Sequence, residues 1–527
     1  MGNLDVHIAE ILARNARLYP NDVALIERIP AEHKRREVTW KQFDEAVNRF
    51  SNVLLKKGIL KGDKVIHLMM NSVDWLIAYF GIIRIGAWAV PLNFRFSGKD
   101  IQYCCEVAEP KCIVFGEEFV DRVDATRESL PGVKDYIFVG KEFPSYAEPF
   151  DRLLEKSPAT PPRVEIFLSD PCGLYFTSGT TGQPKPILLT HKNMVCACIT
   201  ENAHHYQRKQ DNFILIPPLY HTGAKMHWFG SFIVGGKAVI LKGIAPEHVL
   251  EAISEEKATL IFLLVPWAQD ILLKLDSGEI KLKDYKLDQW RLMHIGAQPV
   301  PPAVVKHWKE YFPKMAYDTN YGLSESTGPG CVHLGIENER KVGAIGLPGF
   351  NWETAIMDEN GEPVARGDVG ELVVRGDGVM REYYKNPEAT AKALKEGWLY
   401  TGDMARADDE GFIFLVDRKK DLIISGGENV FPVEVEDFLH THPLVKDAAA
   451  IGYPDERLGE VVTVIIDVVP GKSLTEEEVL KYCEKLPKYK RPRKIFFGEV
   501  PRNPTGKIEK PKLRKQYIGM EEAFKIK

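Results

Sequence analysis

Paired cysteines, long apolar runs and a strong charge of either sign are all missing from this sequence of 527 residues. The eight cysteines form no Cys-X-X-Cys pair and have no histidine neighbours at metal-binding spacing, so we expect free thiols in a reducing compartment. Lysine and arginine number 69 against 74 aspartate and glutamate residues, a net charge of −5. No overall positive field is available to hold nucleic acid, and no nucleic-acid partner is expected.

No segment of the sequence is long and apolar enough to span a bilayer. The longest candidate, residues 75–92, is interrupted by Arg84, by glycines and by a proline, and it falls short of the about 20 unbroken residues that a spanning helix needs. The first residues, Met1 to Asp5, carry no basic segment followed by an apolar run, as an export signal would. We therefore expect a cytoplasmic protein without a membrane span, and a monomer or homodimer.

The sequence does have the length and the patterning of a large α/β protein. At about 150 residues per domain, 527 residues allow two to four domains. Thr39 and Gln42 form a capping-box pattern, which predicts a helix that ends before Gly58. Apolar runs alternate with helical patterns, which predicts mostly parallel sheets covered by helices. The predicted strands lie at 65–70, 87–92, 113–115, 212–216, 238–241 and 260–265.

The pattern of strand-forming and turn residues changes in the last third of the sequence. From about residue 346, short strand patterns alternate with Gly, Asp and Asn turns, which predicts a β-rich subdomain over about 346–417. The charged segment Asp417 to Asp421 follows, and we place a domain boundary there. The prediction is a large N-terminal domain, 1–417, and a small mobile α+β domain, 418–527.

The most informative segment runs from Thr177 to Lys185, with the sequence TSGTTGQPK. Its glycines permit unusual backbone angles, and its hydroxyl and backbone N–H groups can form a concavity for anionic oxygens, to which Lys185 adds a positive charge. Apolar residues at 174–176 and 187–189 predict a strand on either side. The spacing differs from that of the Walker loop, whose lysine opens a helix. We predict a phosphate site of another kind.

Five further motifs follow the phosphate loop along the chain. They are Tyr321-Gly322-Leu323-Ser324-Glu325, Thr401-Gly402-Asp403, Asp417-Arg418-Lys419-Lys420-Asp421, Ser425-Gly426-Gly427-Glu428-Asn429 and Pro504-Thr505-Gly506-Lys507-Ile508. Each alone is typical of an ordinary turn. Together and in this order, all six resemble the motifs of the adenylate-forming superfamily, which includes acyl-CoA synthetases, aryl-CoA ligases, luciferases and nonribosomal-peptide adenylation domains. The resemblance spans nearly the whole chain.

The resemblance implies an AMP-forming carboxylate–CoA ligase. Such an enzyme joins an acid to ATP as an acyl-adenylate, releasing pyrophosphate, and then transfers the acyl group to coenzyme A. It needs ATP, Mg²⁺ and coenzyme A, and we expect a small to medium acid, cyclic and aromatic acids included. Three alternatives stay open: the same enzyme running in reverse to make ATP, a dicarboxylate–CoA ligase, and a non-catalytic nucleotide sensor.

The resemblance also implies contacts with the nucleotide. Tyr321 would stack on adenine, and Asp403, backed by Arg418, would accept hydrogen bonds from the ribose hydroxyls. Glu325 would carry Mg²⁺, and Lys507 would bridge the acid and the α-phosphate. The remaining implied contacts with phosphates, adenine or acyl group are made by Thr177, Ser178, Gly179, Thr180, Thr181, Gly182, Lys185, Gly296, Ala297, Gln298, Asn320, Gly322 and Ser324.

Two further features concern domain movement and the acyl pocket. The resemblance makes Lys420 the hinge of the small domain, and it implies that Gly426 and Gly427 approach the pantetheine arm of coenzyme A. In the segment 217–223, His221 resembles the family's aromatic gate to the acyl pocket. No aspartate stands beside it, as one would in amino-acid adenylation domains, so amino acids are not expected as substrates.

Three residues follow His221 at helical spacings and could share a face towards the acyl pocket. They are Ala224, Lys225 and Trp228. Trp228 would limit the depth of the pocket. Lys225 has two alternatives, pairing with a second carboxylate of the substrate or extending to water.

Overall fold

A computed structural model describes residues 6–177, 184–297, 299–328, 330–418, 421–426, 428–503 and 506–519, apart from the side chain of Asp417. In these ranges the chain forms five sheets, most of which are flanked by α-helices. The predicted α/β fold with mostly parallel sheets, a β-rich subdomain and a separate C-terminal α+β part is confirmed.

Several of the helices begin at residues whose side chains cap them. Thr39 caps the second helix and forms the predicted capping box with Gln42, while Ser72 caps the third. The described α-helices are α1 (Ile8–Leu18), α2 (Trp40–Lys56), α3 (Val73–Arg84), α4 (Gly98–Ala108), α5 (Val120–Arg127), α6 (Phe150–Glu155), α7 (His191–His205), α8 (Thr222–Phe232), α9 (Pro246–Glu255), α10 (Val265–Asp276), α11 (Pro302–Tyr311), α12 (Pro387–Ala393), α13 (Pro432–Leu439), α14 (Glu476–Tyr482) and α15 (Lys510–Ile518).

The largest sheet has eight strands. Their order is β20 (Glu382–Tyr383), β9 (Lys185–Thr190), β8 (Pro171–Thr177), β4 (Trp88–Pro91), β3 (Lys64–Leu68), β5 (Cys112–Gly116), β6 (Asp135–Val139) and β7 (Glu148–Pro149). The strands from β8 to β7 pair in parallel, while β9 pairs antiparallel with both β8 and β20. The β8–β9 register places Thr177 opposite Lys185, so the ends of the predicted phosphate loop meet.

The second sheet has seven strands and is parallel except at one edge. Their order is β14 (Ala316–Asp318), β13 (Leu292–Gly296), β12 (Leu260–Leu264), β10 (Asn212–Leu215), β11 (Lys237–Leu241), β1 (Val23–Ile29) and β2 (Lys34–Thr39). Only β1 and β2 pair antiparallel among these strands. Because parallel strands end at one edge, β13 and β14 bring the segments that follow them close together.

Three smaller sheets complete the described part of the chain. The first contains β15 (Asn320–Tyr321), β16 (Val332–His333) and β17 (Leu347–Pro348). The β-rich subdomain is an antiparallel sheet of β18 (Trp352–Met357), β19 (Gly370–Gly376), β22 (Trp398–Ala407), β21 (Leu394–Lys395) and β23 (Ile413–Arg418). The C-terminal sheet contains β25 (Glu428–Val430), β24 (Ile423–Ser425), β27 (Gly459–Val468), β26 (Val445–Asp455) and β28 (Lys494–Phe497).

The hydrophobic core of the N-terminal part joins both large sheets through their shared helices. Phe43 of α2 and Phe80 of α3 meet edge-on, with ring centroids 5.5 Å apart. The C-terminal sheet has a core of its own, to which Ile423, Val435 and Val462 contribute. Separate cores are what two domains require, while the boundary at 417/418 stays a prediction. None of the described helices has both the length and the apolar character needed to cross a membrane.

The capping box of α2 should contribute measurably to stability. In Thr39→Ala the backbone N–H of Gln42 loses its acceptor, which costs about 1 kcal/mol. For a protein of this size we expect the thermal midpoint to fall by roughly 1 to 2 °C. Differential scanning calorimetry of this variant and of Thr39→Ser, which keeps the hydroxyl, measures the effect. Equal midpoints for Thr39→Ala and the parent would contradict it.

Candidate active site

Two of the predicted nucleotide-binding residues, Tyr321 and Arg418, bind the buried carboxylate of a third, Asp403. The Tyr321 hydroxyl donates to Oδ2 of Asp403 over 2.6 Å, and Nε of Arg418 lies 3.1 Å from Oδ1. The antiparallel register of β22 and β23 pairs Asp403 with Arg418. The charge of Asp403 raises the pKa of Arg418 against the opposing effect of burial. A buried carboxylate needs such partners to remain ionised.

Glu325 and Lys185 lie on two sides of a tyrosine that the sequence analysis did not pick out. Tyr383 of β20 donates its hydroxyl to Oε1 of Glu325 over 2.8 Å. Nζ of Lys185 lies 5.3 Å from the centroid of the same ring. Glu325 follows Tyr321 by four residues, which links the Tyr383 contacts to the Asp403 group through the chain. Lys185, Glu325 and Asp403, each from a different predicted motif, are therefore connected through Tyr383 and Tyr321.

The predicted gate residue, His221, lies at the start of α8, and the charge of Lys507 contributes to its pKa. His221 directly precedes α8, and burial, together with the charges of Lys225 and Lys507, lowers its pKa to about 3. A β-carbon added to Gly506 would lie 3.4 Å from Leu264, which ends β12, so the segment before Lys507 rests on the N-terminal part. His221, the predicted gate, is therefore a neutral imidazole near pH 7.

The gate also adjoins the turn that carries Glu325. A β-carbon added to Gly328 would lie only 2.6 Å from the backbone nitrogen of Gly223, in the first turn of α8. Gly328 has a φ of 88°, a value that favours glycine. This close backbone approach connects the gate to the turn Ser324–Ser326.

The structure contradicts one of the two alternatives predicted for Lys225, its extension to water. Its side chain does not extend to water: it is fully buried, and Nζ donates to the carbonyls of Leu219 and His221 over 3.3 and 3.2 Å. The ring centroids of Tyr175 and Tyr79 lie 4.5 and 5.3 Å from Nζ. Burial holds the pKa of Lys225 well below its ordinary value. The amino group secures the backbone of the gate segment.

Trp228 also does not lie where the sequence analysis placed it, at the end of the acyl pocket. Its ring is fully buried against Phe229 and Phe232, with centroids 5.5 and 5.4 Å apart, and its indole N–H donates to the Gly236 carbonyl over 3.3 Å. The ring therefore belongs to the core behind α8 and does not limit a pocket beside the gate. Ala224 is buried on the same helix.

The other predicted site residues fall into two groups. Gly296 ends β13, Ala297 follows with a φ of 69°, Asn320 lies in β15 and Ser324 opens the turn of Glu325. Gly322 and Gly426 are also within the described chain. Outside the described residues lie Ser178, Gly179, Thr180, Thr181, Gly182, Gln298, Lys420 and Gly427. The phosphate loop and the hinge stay predictions.

Sequence analysis missed a buried group of histidines and carboxylates. Glu201 and His205 of α7, Asp318 of β14 and His333 of β16 are all shielded from solvent. We call these four residues the histidine–carboxylate cluster. The only local signal was the four-residue spacing of Glu201 and His205, which places both on one helix face. The other two residues come from distant strands.

Comparisons with known proteins identify the family. Residues 12–384 match the AMP-binding enzyme family, and residues 434–507 match the AMP-binding enzyme C-terminal domain. The long-chain-fatty-acid–CoA ligase FadD13 of Mycobacterium tuberculosis is 32% identical over 97% of this chain and 98% of that protein. The feruloyl-CoA synthase of Amycolatopsis sp. is 30% identical over 96% of this chain and 98% of that protein.

A solved structure extends the similarity to the whole fold. The anthranilate CoA ligase AuaEII, in complex with anthranoyl-AMP, superposes with a TM-score of 0.90 at 26% identity, covering 98% of each chain. Family match, full-length relatives and the grouping of motif residues all agree. This chain belongs to the AMP-binding enzyme family, in the acyl-CoA ligase branch of the adenylate-forming superfamily.

Proposed function

We propose that this protein is an AMP-forming carboxylate–CoA ligase for an aromatic or other cyclic acid. The reaction consumes the acid, ATP and coenzyme A and yields acyl-CoA, AMP and pyrophosphate. The observation that carries the proposal is the pairing of two motif residues, Tyr321 and Arg418, with the buried carboxylate of a third, Asp403. This arrangement suits formation of an acyl-adenylate.

The first half-reaction is a problem of charge and positioning. A carboxylate oxygen of the acid attacks the α-phosphorus of ATP, and pyrophosphate leaves with the electrons of the broken P–O bond. The acid is itself the nucleophile, so the protein supplies positioning and electrostatic stabilisation. We assign the bridging of the acid and the α-phosphate to the ammonium group of Lys507. Lys185 would face the outer phosphates.

The Asp403 group is suited to hold the nucleoside. A carboxylate can accept about four hydrogen bonds, two at each oxygen. Tyr321 and Arg418 use one position at each oxygen of Asp403, which leaves an acceptor site on both for ribose hydroxyls. The same bonds hold Tyr321 in place, where we propose that its ring stacks on adenine.

Glu325 fits the role of a Mg²⁺ ligand. Mg²⁺ prefers hard oxygen donors and is bound through one or two carboxylates with water and phosphate oxygens. Tyr383 orients the Glu325 carboxylate through Oε1. When bound, Mg²⁺ would neutralise part of the charge on the phosphates of ATP. Lys185, across the Tyr383 ring, adds a second positive charge on that side.

We propose that the second half-reaction needs a rotation of the C-terminal domain, residues 418–527, about Lys420. The thiolate of coenzyme A then attacks the acyl carbonyl, and AMP leaves. Rotation would withdraw Lys507 and bring in the segment of Gly426, whose φ of 62° favours glycine and permits close approach to the pantetheine arm. The fold allows such a movement because the C-terminal sheet has its own core.

The names of two relatives support an aromatic or cyclic substrate, whereas the flat rings beside α8 are closed to solvent. The ring of His227, on α8, lies 4.1 Å from Phe262 and 4.5 Å from His294, centroid to centroid. Phe262 also approaches the position of a β-carbon on Gly296, at 3.7 Å. Among the relatives, a feruloyl-CoA synthase and an anthranilate CoA ligase are named for aromatic acids. The dicarboxylate alternative is weaker, because Lys225 already binds two backbone carbonyls.

We propose further that the enzyme works in the cytoplasm as a monomer or homodimer. Cys104, Cys105, Cys112, Cys172, Cys196, Cys198, Cys331 and Cys483 are all free and buried, which suits a reducing compartment. The direction of the reaction in the cell depends on the ratios of the metabolites. The forward and reverse reactions share one transition state, so the same protein groups accelerate both.

Acid-dependent pyrophosphate release tests the proposed function. We expect benzoic, anthranilic and cinnamic acids to give faster release than long-chain or dicarboxylic acids when ATP and Mg²⁺ are present. Mass spectrometry should then find the matching acyl-CoA after coenzyme A is added. ATP binding without release from any acid would instead identify a nucleotide sensor. Faster release with long-chain acids would overturn the substrate assignment alone.

Removing the Lys507 ammonium group should separate the two half-reactions. Lys507→Ala is expected to slow adenylate formation by about 10²- to 10³-fold, a typical effect of losing one preorganised transition-state contact. Transfer from a supplied acyl-adenylate to coenzyme A should change little. Stopped-flow assays of each step measure both rates. The control Lys512→Ala removes an exposed lysine of the same segment, and an equal loss of both steps in Lys507→Ala would contradict the assignment.

Neutralising Asp403 should weaken ATP binding. Asp403→Asn removes a charged acceptor and leaves Arg418 without its carboxylate, and a hydrogen bond to a charged group contributes about 1.5 to 3 kcal/mol. We expect the Kd for ATP to rise tenfold or more in isothermal titration. Asp409→Asn, an exposed aspartate in the following turn, is the control. Unchanged ATP affinity in a folded Asp403→Asn protein would remove Asp403 from the nucleotide site.

A further inference from the structure

The histidine–carboxylate cluster lies outside the residues that the proposed reaction uses. Glu201 and Asp318 are both fully buried, as are His205 and His333. The partners found for the two carboxylates within the described ranges are imidazoles, the Asn320 amide and one backbone N–H, with no lysine or arginine. Buried carboxylates without a strong cation are unusual, because an unpaired buried charge is costly.

Asp318 sets the orientation of both imidazoles. Its Oδ2 lies 2.7 Å from Nε2 of His205 and 3.3 Å from Nδ1 of His333. Its Oδ1 accepts from the backbone N–H of Gly335 over 2.9 Å. A carboxylate that accepts from both rings fixes the protons on those two nitrogens. Nε2 of His333 then keeps its lone pair. Against the effect of burial, the two carboxylates raise the pKa of His205 to about 10, so an ion would replace the proton on its Nδ1.

Nδ1 of His205 and Nε2 of His333 both lie close to the second carboxylate of the cluster, Glu201. Nδ1 of His205 lies 3.2 Å from Oε2 of Glu201, and Nε2 of His333 lies 3.4 Å from Oε1. Nε2 of His333 is buried and has no hydrogen-bond partner among the described residues. One ligand atom from each of the three residues lies within 4.8 Å of the other two. Three groups that can act as metal ligands therefore lie close together.

The spacing of these atoms suits a small metal ion. Zn²⁺ binds histidine nitrogens at about 2.0–2.1 Å and carboxylate oxygens at about 2.0–2.2 Å, which places two ligand atoms of a tetrahedron about 3.3–3.5 Å apart. The separation of 3.2 Å ends on Oε2 of Glu201 and that of 3.4 Å on Oε1, while one ligand atom of each of the three residues lies within 4.8 Å of the other two. An ion would draw these atoms closer together. A ligating histidine usually donates its other N–H to a carboxylate, as both rings do to Asp318.

We propose that Glu201, His205 and His333 bind a divalent first-row transition-metal ion, best matched by Zn²⁺, with Asp318 orienting both histidines. Two imidazoles and one carboxylate favour such an ion over Mg²⁺, which prefers all-oxygen sites. The site is separate from Glu325 and does not depend on the proposed reaction.

The neighbouring groups lie close to the ligands. A β-carbon added to Gly330 would lie 1.7 Å from Nε2 of His333, so an ion must approach that nitrogen beside the Gly330 backbone. The Asn320 amide donates to Oε1 of Glu201 over 3.1 Å, and Nδ1 of His227 lies 3.0 Å from Oε2. The Gln207 amide makes a long contact, 3.3 Å, to Nδ1 of His205, which an ion would replace, while Gln207 keeps its bond to the His227 carbonyl. Because Asn320 precedes Tyr321, the ion would tie α7 to the strand that presents the adenine-stacking ring.

Binding of Co²⁺ and Zn²⁺ to the tag-free, metal-stripped full-length protein tests the proposal. Co²⁺ in a site with nitrogen ligands gives visible ligand-field bands, which we expect to saturate at one ion per chain and to disappear when Zn²⁺ is added. Elemental analysis after dialysis against Zn²⁺ should find one zinc per chain, and Mg²⁺ should not compete. A folded protein that retains no Co²⁺ or Zn²⁺ would overturn the proposal.

Matched variants locate the ion. Glu201→Gln and His333→Gln each remove a ligand, and we expect the affinity for Co²⁺ to fall tenfold or more. His191→Gln changes another buried histidine of α7, outside the cluster, and should bind like the parent. Binding that is unchanged in both ligand variants would place the ion elsewhere and overturn the assignment.

Crystallography of the parent protein keeps the test independent of how the variants fold. An anomalous peak at the zinc edge between Glu201, His205 and His333 is the expected result. A peak on His294 and Asp318 instead, or none, would contradict it. Pyrophosphate release measured with and without bound Zn²⁺ is a separate readout, so a failure of the ligase proposal and a failure of the metal proposal remain distinguishable.

Discussion

The Asp403 carboxylate is the contact on which the arrangement of the site depends. It receives Tyr321 from one small sheet and Arg418 from the last strand of the β-rich subdomain. A buried carboxylate is tolerated only when its partners are in place, so these bonds hold the sheet of Tyr321 against the β-rich subdomain. Arg418 is also the first residue of the predicted C-terminal domain. One ion pair thus joins the predicted ribose residue to the start of that domain.

Local sequence patterns predicted much of the fold because they encode local interactions. The capping box of Thr39 and Gln42 and the parallel strands of both large sheets follow from short-range rules of helix and strand formation. The six motifs identified the family because their residue types match the chemistry of phosphate and ribose. Contacts such as that between Tyr383 and Glu325 could not be predicted, since they join segments far apart in the chain.

The errors on α8 have a physical reason. Helical spacing shows which side chains share a face, but it does not show what that face contacts. On α8 nearly every residue is buried, so there is no polar side from which to orient the helix. Lys225 and Trp228 therefore pack against tyrosines and phenylalanines of the core, while His227 faces the rings of Phe262 and His294. The histidine–carboxylate cluster was missed for a related reason, because its members come from one helix and two separate strands.

The tether between Lys225 and the two gate carbonyls limits how the pocket can open. Displacing the backbone around His221 would leave the buried amino group of Lys225 without its two carbonyl acceptors, which costs free energy. If His221 is the gate, entry of the acid would then depend on reorientation of the imidazole ring. That ring packs against Tyr220, with centroids 4.2 Å apart, so its rotation has to displace a neighbour. Admission of the acid would therefore be coupled to the packing of the segment that precedes α8.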